Sequence, residues 1–379
     1  MNLNFVEISV LTITIIFGIL VLLITIQLIL HKRKAWAFLL SLIFGLSAGL
    51  SAIFNALFFS NISILQDLFQ SLHLNLYGFH FFFFYIFFER LISKRPNPWR
   101  LALAIGLLLT QTIGLWLVFY YRTNALSTDI AWLLADVGYW TPALLVYLGM
   151  GVPIYIKTYL YTKEKKPLVL SIALLFVGVG FIFSLLNDIP FIFGVFDIEI
   201  PTLDFIVGIS EIANIFPLIG IILFIIPYLI DIDYLYRLPN DTYLLMVLRN
   251  DGTPIHKVKL KTREKVKIPE FLLSGMISAI NGVFKELFKK EASIRTISSE
   301  GIHILIEPKE EILALLITDN LSYFLNQGLK RYVKEFYTEF SYQIKQGESN
   351  LFAYDKAVDL LKSVFPFFII EKQDQEHIS

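Results

Sequence analysis

The sequence predicts a seven-helix transmembrane bundle, N-terminus outside and C-terminus inside, followed by a small α+β domain with element order β-β-α-β-β-β-α-α. Three observations predict it. The 379-residue chain is 56% hydrophobic, with a mean hydropathy of +0.66. Seven apolar runs precede residue 231, each long enough to cross a hydrocarbon core, which takes roughly 20 helical residues. Beyond them the pattern changes to alternating strands and amphipathic helices, and residues 231–379 hold most of the Lys and Glu. The chain therefore divides into a bundle over 1–230, a short link over 231–241 and a domain over 242–370.

The seven runs are 7–30, 36–58, 68–92, 101–121, 131–160, 168–190 and 204–230. The first starts without a basic segment, is too long for a signal-peptide core and ends in His31-Lys32-Arg33-Lys34, so it reads as an anchor. The third is dense in phenylalanine around His80 and Tyr85. The fifth carries Pro142 and Pro153, which predict kinks. Orientation follows from Lys and Arg in the connections. Those after runs 1, 3 and 5 hold eleven basic residues; the alternate connections hold one, Arg122. The expected location is the cell membrane, multi-pass, with the C-terminal domain cytoplasmic. Asn61-Ile62-Ser63, on the expected outer side, matches a glycosylation acceptor.

Ionisable groups at membrane depth are costly and so point to function. His73 and His80 lie seven residues apart on one face of run 3, Asp136 lies near the start of run 5, and Asp188 ends run 6. Asp204, Glu211 and Asn214 fall in run 7. Together these seven residues could line an outward-facing polar cavity for a ligand or cation, with Trp132, Tyr139 and Trp140 near its mouth. Interfacial hydration and interhelical hydrogen bonds account for the same residues without a ligand. The connection from 187 to 203, largely apolar, is expected to lie over the outer surface as a lid.

Several chemistries are excluded or disfavoured. The chain has no cysteine, which removes disulfides, thiol catalysis and Cys-ligated metals. Run 7 has no lysine for a retinal Schiff base. A formal net charge of +0 without a basic stripe or zinc-finger spacing gives no reason to expect nucleic acid. No phosphate-binding glycine loop and no HExxH occurs, so no cofactor, metal or enzymatic activity is expected.

In the domain, 243–248 and 255–260 read as strands around the hairpin signal Asn250-Asp251-Gly252. Pro269 opens a helix to about residue 289, with the stripe Leu273, Ile277, Ile280, Phe284 and Leu287 interrupted by Gly282. Strands follow over 293–298, 301–307 and 312–317, the last apolar enough for a central strand covered on at least one face. Asp319 is the expected cap of a helix over 321–344, whose stripe includes Leu325, Leu329, Tyr332, Phe336 and Phe340. A last helix covers 353–365. His256 and His303 fall on strands and read as sheet-surface residues. Lys259, Lys261, Arg263, Lys265 and Lys267 alternate at spacing two, which could set one basic edge against the lipids of the inner membrane face; a solvated, aggregation-resistant edge explains them equally.

The element order, with the segments LRNDGTP (248–254), SGMISAINGV (274–283) and GIHILIEPKEEILALL (301–316), resembles the longin/roadblock group of small domains over about residues 240–365. That resemblance implies a five-stranded antiparallel sheet with helices packed against it, and a non-catalytic binding module. It also implies a cytoplasmic protein partner, with small GTPases and vesicle-transport machinery among the group's usual partners, and pairing into a homodimer. The usual member is not preceded by seven spans. The sequence thus predicts a receptor-like or sensor membrane protein, coupling an outer polar cavity to partner binding inside. A membrane anchor or scaffold for a GTPase- or trafficking-related partner, and a secondary transporter or membrane-embedded enzyme, are the alternatives.

Overall fold

A computed structural model describes residues 5–30, 35–55, 63–93, 95–124, 126–162, 165–194, 215–230, 242–260, 272–277, 279–280, 294–299, 301–319, 321–348, 350–365, 368 and 370. Outside them lie Asn61, Asp204, Glu211, Asn214, the link 231–241, Lys261, Arg263, Lys265, Lys267 and Gly282. The chain forms two compact units, one of residues 1–89 and 96–235, the other of residues 90–95 and 236–379.

The first unit is a helical bundle: α1 (Phe5–Leu30), α2 (Trp36–Phe54), α3 (Ser63–Ile92), α4 (Pro98–Thr123), α5 (Asp129–Leu144), α6 (Val152–Thr162), α7 (Lys165–Gly194) and α8 (Ile215–Ile230). Five helices among the described residues are long and apolar enough to cross a membrane: Trp36–Phe54, Leu65–Ile92, Pro98–Thr123, Asp129–Leu160 and Lys165–Leu186. Two shorter apolar helices, Thr14–Leu30 and Phe216–Ile230, accompany them. The α4 residues Leu103, Leu109 and Ile113 are each 54% exposed. An apolar flank of this kind suits lipid rather than water.

The phenylalanines of α3 divide by face. Phe81, Phe84, Phe87 and Phe88 are buried, and Phe38 of α2 sits 5.0 Å from Phe87, centroid to centroid. Phe224 of α8 stands edge-on to Phe84 at 5.7 Å. The α3 aromatics therefore form the packing seam of the bundle. Between Pro142 and Pro153 the helix is not simply kinked: residues Leu145–Gly151 widen into a π-helix. Proline removes a backbone donor and crowds the carbonyl four residues back, so two prolines bracketing one segment favour a change of hydrogen-bond step.

The connection read from residue 187 is corrected in its first half, because α7 continues to Gly194. Asp188, taken as a break in the apolar run, is instead held by Trp140 of α5, whose Nε1 donates to Asp188 Oδ2 at 2.9 Å. A polar residue with an interhelical partner does not have to end its helix.

The second unit is a five-stranded antiparallel sheet of order β2-β1-β5-β4-β3. The strands are β1 (Thr242–Arg249), β2 (Pro254–Lys259), β3 (Thr296–Ser299), β4 (Ile302–Lys309) and β5 (Ile312–Thr318). Helices α9 (Tyr323–Lys345) and α10 (Ala357–Val364) follow. Alternation along β1 and β5 sends side chains to both faces. On one face Leu244, Met246, Leu248, Leu315 and Ile317 pack with Leu273 and Ile277 of the helical residues 272–277. On the other, α9 packs against β4 and β5, with its stripe of Leu325, Leu329, Tyr332, Phe336 and Phe340 buried. All of β5 is buried in consequence.

Local chemistry explains where the elements stop. The β1–β2 turn uses Gly252 at φ +90°, and Asp251 Oδ1 accepts from the Thr253 N–H at 2.8 Å. The third strand begins at Thr296 rather than 293: Ser299 pairs with Ile302 across a tight turn containing Gly301 at φ +77°, which sets the register. The α9 cap is Ser322, not Asp319; Ser322 Oγ accepts from Leu325 N at 3.0 Å, three residues ahead, which Asp319 is too early to do. The last helix read over 353–365 is two pieces, a 3-10 turn at Leu351–Tyr354 capped by Asn350, then α10. Tyr354 OH donates to Glu348 O at 2.9 Å and holds the bend. His256 is buried on β2, 5.8 Å from the Phe336 ring, rather than at the sheet's surface.

Candidate functional site

The site in the bundle is a cavity of about 340 Å³ where α3 and α5 begin and α4 and α7 end. Asp136 and Asp188 both line it, and both are half-buried. Trp132, Tyr139 and Trp140 form its aromatic side, as α5 turns residues three or four apart onto one face. Trp140 stands nearly perpendicular to Tyr139, with centroids 4.7 Å apart, and holds Asp188 through its indole N–H. Among the described residues, no Lys, Arg or His lines the cavity.

Gln111 of α4 completes the cavity and was not singled out from sequence. It is wholly buried; Nε2 donates to the Leu74 carbonyl of α3 at 2.7 Å, while Oε1 has no hydrogen-bond partner among the described residues. The signal for it was present, an amide in the middle of an otherwise apolar run. Close helix approach sets its position. A methyl on Gly138 of α5 would meet the Gln111 backbone, and one on Gly114 of α4 would lie 2.5 Å from Ala135 N. Small residues here let α4 and α5 touch through their main chains.

His73 and His80 do share a face of α3, and that face meets α2 rather than the carboxylate cavity. His73 Nδ1 lies 2.8 Å from Ala48 O, and His80 Nδ1 lies 2.8 Å from Ser41 O. A carbonyl only accepts, so each Nδ1 carries the proton. That tautomer leaves His80 Nε2 as an acceptor for the Tyr147 hydroxyl, 2.6 Å away on the π segment. His80, Tyr77, Tyr147 and Thr14 line a second, smaller cavity of about 100 Å³ with Phe224. The ring of Tyr77 lies between the two sites, 6.2 Å from His80 and 6.3 Å from Tyr139. The structure thus brings Asp136 and Asp188 together and seats the two histidines apart from them. Asp204, Glu211 and Asn214 lie outside the described residues.

Two ion pairs brace the bundle ends. Glu89, with no side-chain exposure, pairs with Arg100 Nε at 2.7 Å, and Asn97 N donates to its Oε2 at 3.2 Å. Arg122 pairs with Asp67 at the cavity end. Among the described residues no group of three His, Cys, Asp or Glu side chains is arranged to hold a metal ion. In the second unit, Lys259 is exposed on the edge strand β2. Burial lowers His256 to a pKa of about 4, which keeps it neutral near pH 7.

In comparisons with known proteins, the chain matches no family model, no curated protein and no solved structure.

Proposed function

We propose that the chain is a receptor-like membrane protein in which ligand at the Asp136–Asp188 cavity controls partner binding by the α+β domain. The observation that carries this reading is the convergence of two carboxylates, from helices far apart in sequence, on one cavity with no basic side chain among the described residues that line it. A mere anchor has no need of such a site. The π segment supports it too: it joins the cavity helix α5 to α6 and carries Tyr147, and π-helical steps concentrate at functional sites.

The full topology belongs to the same proposal. Seven crossings are supported by five long apolar helices and two shorter ones. Eleven basic residues against one favour an outside N-terminus and cavity, with the α+β domain in the cytoplasm. The longin/roadblock reading of that domain is supported by its antiparallel five-stranded sheet with helices on both faces. It gives a cytoplasmic protein as partner, a small GTPase being the type case, with a homodimer as the other use of such a domain. Lys259, with the basic residues at 261–267, would turn one edge toward anionic lipid.

The test uses the full chain in nanodiscs. Asp136→Asn and Asp188→Asn should change hydrogen exchange in α9 and in β1 and β2. Unchanged exchange throughout the second unit, together with unchanged partner capture, would favour the scaffold reading. That reading draws on the internal satisfaction of His73 and His80 by helix carbonyls. Reporter tags finding both termini in one compartment would overturn the topology.

A further inference from the structure

We infer that the Asp136–Asp188 cavity takes a small organic cation, an ammonium group carrying an apolar or aromatic body. This rests on the receptor reading for its role and on the cavity's own chemistry for the ligand class.

Charge comes first. Two carboxylates face one half-buried space, and the described residues of its lining supply no Lys, Arg or His to compensate them. Like charges in a poorly solvated site repel, and a cation between them relieves both. Asp188 is fixed through Oδ2 by Trp140 Nε1, so it is already oriented. Asp136 has no hydrogen bond or ion pair among the described residues. Gln111 lines the same cavity but turns its buried Oε1 against Gly78 of α3, so the attraction for a guest rests on the two carboxylates.

The walls then choose among cations. Trp132, Tyr139 and Trp140 present three aromatic rings, which attract an ammonium electrostatically but cannot replace the water shell of a bare metal ion. Leu74, Leu115 and Ala135 supply apolar surface for the rest of the molecule. The volume of about 340 Å³ sits at the small end of ligand pockets, which run from roughly 300 to 1,000 Å³. That suits a guest of single-ring size.

The full-length chain in nanodiscs would be titrated with phenylethylammonium and with tetramethylammonium, following tryptophan fluorescence and heat. Sodium chloride at equal ionic strength and phenylacetate serve as controls. Saturable binding of at least one ammonium probe, and none of phenylacetate, is the expected result. Asp136→Asn and Asp188→Asn should each weaken it about tenfold or more, the size expected for losing a hydrogen bond to a charged group. Gln70→Lys, which keeps both carboxylates and sets a tethered ammonium beside them, should abolish probe binding and raise the unfolding temperature. That variant keeps the idea testable if a carboxylate variant fails to fold. No saturation by either probe up to about 10 mM overturns the inference. So does binding that survives Gln70→Lys. Binding with no change in exchange in the α+β unit leaves the ligand class standing and removes the receptor role. Exchange that responds to Asp136→Asn without any probe binding does the reverse.

Discussion

The hydroxyl of Tyr147 donates to His80 Nε2 across 2.6 Å, and the proton on His80 Nδ1 points to the Ser41 carbonyl. Three elements, α2, α3 and the π segment, meet on one imidazole. Gly45 makes room for it: a methyl there would lie 3.1 Å from Nδ1.

This junction predicts a measurable coupling. Tyr147→Phe leaves Nε2 without its donor, and His80→Leu leaves the tyrosine hydroxyl without an acceptor. Each should destabilise the bundle by about 1–3 kcal/mol, the cost of an orphaned buried polar group. The double variant should lose less than the two sum to, by about 1 kcal/mol, as interhelical bonds in membranes do. Unfolding of the four proteins in mixed micelles checks it; strict additivity would argue against the bond.

The α4–α5 contact predicts a sharp contrast between glycines. A methyl at Gly114 would lie 2.5 Å from Ala135 N and 2.9 Å from Ala131 O, both main-chain atoms that cannot swing aside. Gly114→Ala should cost about 1–3 kcal/mol by overpacking and pry apart the helices that carry Gln111 and Asp136. Gly106→Ala, on the same helix with nothing within 4 Å, should be neutral or mildly stabilising. Thermal unfolding of the two variants side by side decides it.

His256 predicts a pH dependence in the α+β unit. Unfolded, it takes a proton near 6.5; folded, burial lowers that to about 4. Its folded pKa being the lower, its contribution is intact above about pH 6.5 and is lost as pH falls through 6.5 toward 4, by up to about 3 kcal/mol. Protection factors of the β1 and β2 amides, which remove the intrinsic pH dependence of exchange, should fall over that window in the wild type. His256→Leu should flatten the response.

Two glycines in the same unit separate backbone from packing. A methyl added at Gly275 or at Gly301 would meet nothing within 4 Å, so sterics are equal. Gly275 is helical, and Gly275→Ala should stabilise by about 0.5–1 kcal/mol. Gly301 sits at φ +77°, and Gly301→Ala should cost about 1 kcal/mol or more. Local exchange in β3 and β4 reads the second, since Gly301 makes their turn.

Hydropathy made the long helices legible, because the length of an apolar run is a one-dimensional quantity. Face was legible too: a spacing of seven put His73 and His80 on one side of α3. Which neighbour that side meets was not, since it depends on how helices order themselves around α3. The convergence of Asp136 and Asp188 was open for the same reason, being a relation between residues 52 positions apart. Asp188 also shows how a polar residue misleads when read singly; its indole partner on α5 lets α7 run on to Gly194. Caps were misjudged by three residues because Asp319 and Ser322 are both good cap types, and only the path of the chain chooses between them.

The pairs His73–Ala48 and His80–Ser41 repeat at the same interval on both helices, running in opposite directions. Two rungs about 10 Å apart along the axis act as a pin-and-slot joint. A slide of α3 along α2 by less than a helical turn would break both rungs at once and align neither with a new carbonyl. These helices therefore make a fixed post, and mechanical play in the bundle has to come from the limb beyond Tyr147.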